Sequence, residues 1–119
     1  MGRIGRNPRW AAIMAGLVVC AALLVAPAAW GQDLVIRLTI QAHRFVPAEI
    51  EVPAGKPFTL AIQNADATAE EFESEELKRE KVVPPGAEVT LRFGPLQPGT
   101  YPFYGEFNPQ TAQGKLIVK

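Results

Sequence analysis

The feature that most limits how this chain can fold is a two-residue beat of apolar side chains that returns along its length. Leu34, Ile36, Leu38 and Ile40 alternate with Arg37, Thr39 and Gln41; Phe58, Leu60 and Ile62 repeat the pattern, and so do Val89, Leu91 and Phe93. Side chains of a strand point alternately to its two faces, so each run reads as a half-buried strand. Turn formers stand between the runs: Ala54-Gly55-Lys56, Asn64-Ala65-Asp66, Pro84-Pro85-Gly86 and Pro95 to Gly99. Phe45 to Pro53 is a further extended piece, interrupted by Pro47, which has no N–H and so restricts it to an edge or an entry position. Tyr101, Phe103 and Tyr104 begin another strand, and Leu116 to Val118 close the chain. About seven short strands with turns roughly every ten residues predict an all-β Greek-key sandwich.

One stretch carries more charge than a sandwich needs. Thr68 to Lys81 holds Glu70, Glu71, Glu73, Glu75, Glu76 and Glu80, six of the twelve acidic residues in the chain, with Phe72 among them. An aromatic flanked by carboxylates reads as a short strand with Phe72 turned inward, which puts Glu71 and Glu73 together on the opposite face. Two carboxylates so placed are half of a site for a hard metal ion. Beyond Phe72, Ser74 is expected to cap a short helix over residues 74–81, with Glu75 and Glu76 in its first turn and Lys78 and Arg79 near its end.

The N-terminus has the layout of a secretory signal peptide. Arg3, Arg6 and Arg9 precede an apolar run from Trp10 to about Val25, and small residues follow at Ala26, Ala28, Ala29 and Gly31. The run is short for a membrane span. Cleavage after Ala28 and cleavage after Gly31 both suit the small-residue rule, and an uncleaved membrane anchor is the alternative. The expected organisation is a signal peptide over residues 1–31 and one domain over residues 32–119, exported to the periplasm, with no membrane insertion after cleavage.

Those 88 residues keep nine basic side chains against twelve acidic ones, a net charge of −3. That lacks the electrostatic footprint of a nucleic-acid binder. They contain neither cysteine nor methionine, and one histidine, His43. Disulfides, thiolate nucleophiles, cysteine-based zinc sites and Fe–S clusters are excluded on that ground. A hydrolytic triad finds no nucleophile–base pair around a single His43.

Several pieces fall into an order that resembles a cupredoxin domain: Phe45-x-Pro47, Val52-Pro-Ala-Gly55, Asn64, Glu71-Phe72, Pro85-Gly86, Pro98-Gly99-x-Tyr101-x-Phe103 and Gly114-Lys-Leu-Ile-Val118. E-E-F-E-S at 70–74, R-E-K-V-V at 79–83, G-P-L-x-P-G-x-Y at 94–101 and Y-G-E-F at 104–107 are similar to the EfeO-type cupredoxin-like proteins associated with bacterial iron permeases. The resemblance places Glu70 where a blue-copper protein has its first histidine and Gly105 where it has its cysteine. The loop that would supply the second histidine and the methionine reads Glu106-Phe107-Asn108-Pro109-Gln110-Thr111. Without a thiolate, type 1 copper electron transfer is excluded.

What the resemblance implies instead is an acidic metal site of Glu71, Glu73, Glu106 and Glu80, with His43, Asn108 and Glu70 as secondary candidates. Carboxylate oxygens suit hard ions, and iron is the ion expected, with copper next. Where the nearest relatives are expected to carry histidine after Glu106-Phe107, this chain has Asn108, a weaker ligand for copper or Fe(II). Glu80 has an alternative use as a surface partner of Lys78, Arg79 and Lys81. Tyr101, Phe103, Tyr104 and Phe107 are assigned to the core. The implied function is a periplasmic iron-binding accessory protein that serves a membrane iron permease with other periplasmic iron-uptake components, and that assists Fe(II) oxidation if it has any catalytic role. The competing expectation is a metal-free sandwich used as an interaction module, its acidic stretch a docking face.

Overall fold

A computed structural model describes residues 34–119; the expected signal peptide lies outside the described residues. The described residues form nine strands: β1 (Leu34–Gln41), β2 (Arg44–Val46), β3 (Glu49–Val52), β4 (Phe58–Asn64), β5 (Glu70–Ser74), β6 (Arg79–Val83), β7 (Glu88–Phe93), β8 (Gly99–Gly105) and β9 (Gln113–Val118). They make two mixed sheets, ordered β2-β1-β4-β7 and β3-β9-β8-β5-β6. The pairs β1/β4 and β3/β9 are parallel and the remaining pairs antiparallel.

Nine strands replace the seven expected because two proline and turn effects divide the chain more finely. Pro47 splits the extended piece 45–53 into β2, which lies in one sheet, and β3, which lies in the other. The expected helix over 74–81 is absent. Residues 75–78 are instead the turn of the β5/β6 hairpin. The Ser74 hydroxyl does accept the Leu77 N–H at 3.2 Å, as a helix cap would, and the Lys78 N–H donates to the Glu75 carbonyl at 3.1 Å. Lys78 then takes φ +55°, a left-handed conformation that stops a helix after one turn.

The core lies between the inner faces. Leu38, Ile40, Phe45, Phe58, Leu60, Ile62, Leu91 and Phe93 come from one sheet, and Ile50, Val52, Phe72, Val83, Phe103, Leu116 and Val118 from the other. The alternation predicts the buried positions of β1, β4 and β7, except that Leu34 is exposed and Ile36 and Val89 are only partly buried. Phe45, Phe72 and Phe103 form an aromatic cluster, with Phe103 5.0 Å from each of the other two rings. Gly114 faces that cluster: a Cβ there would stand 2.5 Å from Phe103 Cε2, so no larger residue fits without displacing the ring. Buried Asn64 ties the incoming loop to β6 by donating to the Thr68 and Val83 carbonyls at 2.9 and 3.0 Å. The entry to β5 is fixed in this way.

Candidate metal centre

Strand β5 is buried on one side by Phe72, and this turns Glu71 and Glu73 to the outer face of the second sheet. Glu106 follows the end of β8, and its N–H continues the ladder by donating to the Glu71 carbonyl at 3.2 Å. One carboxylate oxygen from each of Glu71, Glu73 and Glu106 lies within 4.8 Å of the others. Glu80 on β6 stands opposite Glu73. Although Glu71 is on the outer face it is only 5% exposed. Its Oε1, and Oε2 of Glu73, are buried without a hydrogen-bond donor.

Unpartnered buried carboxylate oxygens are costly, and here they also repel one another. Burial raises the Glu71 carboxyl to about 7, helped by the charges of Glu106 and Glu80. Burial likewise raises Glu73, with Glu106 and Glu80 adding to the effect, while a hydrogen bond from the Tyr104 hydroxyl opposes it. Tyr104 is raised in turn by burial and by Glu73, Glu75 and Glu106. The chemistry of this group, converging carboxylate oxygens of which Glu71 Oε1 and Glu73 Oε2 lack a donor, fits a hard cation.

Glu70 has a different place. Its carboxylate is 1% exposed and accepts the N–H groups of Glu71 and Phe107 at 2.9 and 2.8 Å and the Asn108 amide at 2.6 Å. The bonds from Phe107 and Asn108 fasten the loop that carries Glu106. Gly105 makes room for it, since a Cβ there would stand 2.6 Å from the Glu70 carboxyl carbon and 2.7 Å from Ala112 Cβ. The position that the resemblance aligns with the copper thiolate therefore lies against a loop-holding carboxylate. Type 1 copper does not fit these residues.

The structure brings Glu71, Glu73, Glu106 and Glu80 to one face and leaves three secondary candidates outside that group. Glu70 and Asn108 bond each other. His43 sits in the β1/β2 turn at φ +57°, next to Ala42 at φ +53°, where Asp66 accepts both N–H groups at 2.8 and 2.9 Å. Its Nδ1 is 3.7 Å from Asp66 Oδ2. Two of the aromatic residues assigned to the core are elsewhere. Phe107 is 51% exposed, because the Glu70 anchor on its N–H leaves the ring facing a cleft of about 400 Å³ that His43 also lines. Tyr104 is half-buried on the outer face, paired with Glu73. The sequence signal for Tyr104 is its two-residue offset from Glu106, which continues the ladder just past the end of β8.

Residues 13–118 match the family model of the cupredoxin-like domain. An uncharacterized protein of Rickettsia prowazekii (strain Madrid E) is 47% identical over 85 residues, which cover 71% of this chain and 68% of that protein. The fold is similar to the metal-binding domain of the Cu(I)-exporting P-type ATPase CopA of Streptococcus pneumoniae D39, with a TM-score of 0.64 and 22% identity over 71% of this chain and 84% of that one. It is similar too to auracyanin A, a blue copper protein of Chloroflexus aurantiacus, with a TM-score of 0.64 and 16% identity over 74% of this chain and 100% of that one. At such identities these structures speak for the fold alone. Together with the two-sheet sandwich, the match across residues 13–118 places the chain in the cupredoxin-like family.

Proposed function

We propose that the protein is an exported metal carrier of a bacterial iron-uptake system, holding iron on the outer face of β5, β6 and β8 and passing it to a membrane permease. The observation that carries this reading is the pair of buried oxygens, Glu71 Oε1 and Glu73 Oε2, that have no donor and share their space with Glu106. A cation supplies the missing partner and offsets the repulsion. Oxygen ligands hold ferric iron more strongly than ferrous iron, which favours oxidation of bound Fe(II) when an oxidant is at hand. The signal-like N-terminus and the motifs shared with the EfeO-type proteins support the export and permease parts of the reading.

Equilibrium dialysis against iron tests it. Wild-type protein is expected to bind iron in a fixed ratio, and the Glu71→Ala/Glu73→Ala double variant to lose that binding while keeping its fold. Equal binding by the two proteins would remove these residues from the site. Val82, about half exposed opposite Glu71 on the acidic face, favours a second reading as an interaction module. That reading predicts a thermal midpoint indifferent to every cation.

A further inference from the structure

We propose that the Tyr104 phenol oxygen is a ligand of the same cation site and the group that makes it prefer a trivalent ion. The inference rests on reading Glu71, Glu73 and Glu106 as ligands. Strand register carries it. Tyr104 faces Glu73 across β8/β5, and Glu73 faces Glu80 across β5/β6. One step further along the face, Glu106 lies beside Glu71 through the 3.2 Å backbone bond, and Glu71 faces Val82. The outer face is therefore a grid of two rows, Tyr104–Glu73–Glu80 and Glu106–Glu71–Val82.

Neighbours in such a grid stand roughly 5 Å apart across strands and about 7 Å apart along them. An ion resting over the face can be met from the corners of one square. The square of Glu73, Glu80, Val82 and Glu71 has a hydrocarbon corner. The square of Tyr104, Glu73, Glu71 and Glu106 has an oxygen at every corner, and it contains the three carboxylates whose oxygens converge within 4.8 Å. Tyr104 is the residue directly opposite Glu73 in the β5/β8 register, so it stands at the edge of the group.

Three carboxylates alone discriminate poorly among hard cations. A phenolate adds a hard anionic oxygen whose bond strengthens with the acidity of the ion, so its contribution is large for Fe(III) and small for Mn(II) or Ca(II). On binding, the Fe(III)–oxygen bond forms as the phenol O–H bond breaks, and the proton leaves to solvent. No electron is transferred in this step.

The test titrates Fe(III), supplied as its citrate chelate, and Mn(II) into wild-type and Tyr104→Phe protein, following bound metal and visible absorption. Phenylalanine keeps the ring, and melts of the two metal-free proteins check that the fold is retained. Wild-type protein loaded with Fe(III) is expected to show a phenolate-to-iron charge-transfer band. The variant is expected to lose that band and roughly 10–100-fold in Fe(III) affinity, the range seen even for groups one shell removed from a metal. Its Mn(II) affinity is expected to fall far less than its Fe(III) affinity. Stoichiometric Fe(III) uptake by wild type without the band, or a band that survives in the variant, would overturn the assignment of Tyr104 and leave the carboxylate site standing. Uptake of neither ion by wild type would overturn both readings.

Discussion

At the scale of single residues, the division of labour between Glu70 and Glu71 decides what this member of the family can hold. The two carboxylates are adjacent in sequence, yet one accepts three hydrogen bonds and the other leaves an oxygen with none. Glu70→Ala strips an acceptor from two backbone N–H groups and the Asn108 amide, and is expected to cost about 2–5 kcal/mol, read from denaturant unfolding. Gly105→Ala overpacks the same space and is expected to cost about 1–3 kcal/mol. The cost of Gly105→Ala should fall in a Glu70→Ala background, since the colliding carboxyl is gone, and a double-mutant cycle measures this coupling. Glu71 makes the opposite forecast. Its carboxyl is raised to about 7 in the folded protein against an ordinary 4.5, so between those values the folded state binds more protons than the unfolded chain. The metal-free protein should gain stability as pH falls from about 7 toward 4.5 and lose it as pH rises through about 7. Thermal melts in chelator check this, and Glu71→Gln should flatten the dependence. Cation binding should run the other way, weakening below pH 7 as protons compete for the same oxygens.

At the scale of elements, the hairpin β5/β6 shows what was legible in the sequence and what was not. Phe72 between carboxylates announced a strand with Glu71 and Glu73 on its outer side, because a two-residue period leaves no other way to bury the ring. Beyond Ser74 the same run points to a helix that does not form. A cap, two glutamates and two basic residues are the local chemistry of a helix, and the chain does make the first capped turn. Pairing of Arg79–Val83 with β5 then outweighs local preference, as nonlocal ladders often do. Loop geometry was illegible for a similar reason: nothing local to Phe107 says that Glu70, far back in the chain, holds its N–H and leaves the ring outside. The switch between sheets at Pro47 looks, in sequence, like a single interrupted strand. Lys78 at φ +55° offers a test of the hairpin account. Lys78→Gly is expected to stabilise the protein by about 0.5–1 kcal/mol, measured by denaturant unfolding, because glycine adopts that conformation without the Cβ penalty.

At the scale of the whole molecule, the sandwich has the Glu70 carboxylate filling the space beside Gly105 and Glu71, Glu73 and Glu106 meeting on an outer face. The core therefore owes nothing to the ion, and the protein should fold without it. A bound cation should still stabilise it by mass action, about 2.7 kcal/mol at a hundredfold excess over Kd, with a thermal midpoint that climbs with cation concentration. The most direct check is calorimetric titration of the purified protein with Fe(II) under anaerobic conditions, with Ca(II) and Cu(II) run alongside. Saturable iron binding that exceeds calcium binding, and that disappears in Glu71→Ala/Glu73→Ala, is the result expected for an iron-holding acidic face. Flat heats for all three ions would contradict it and leave the face as a docking surface.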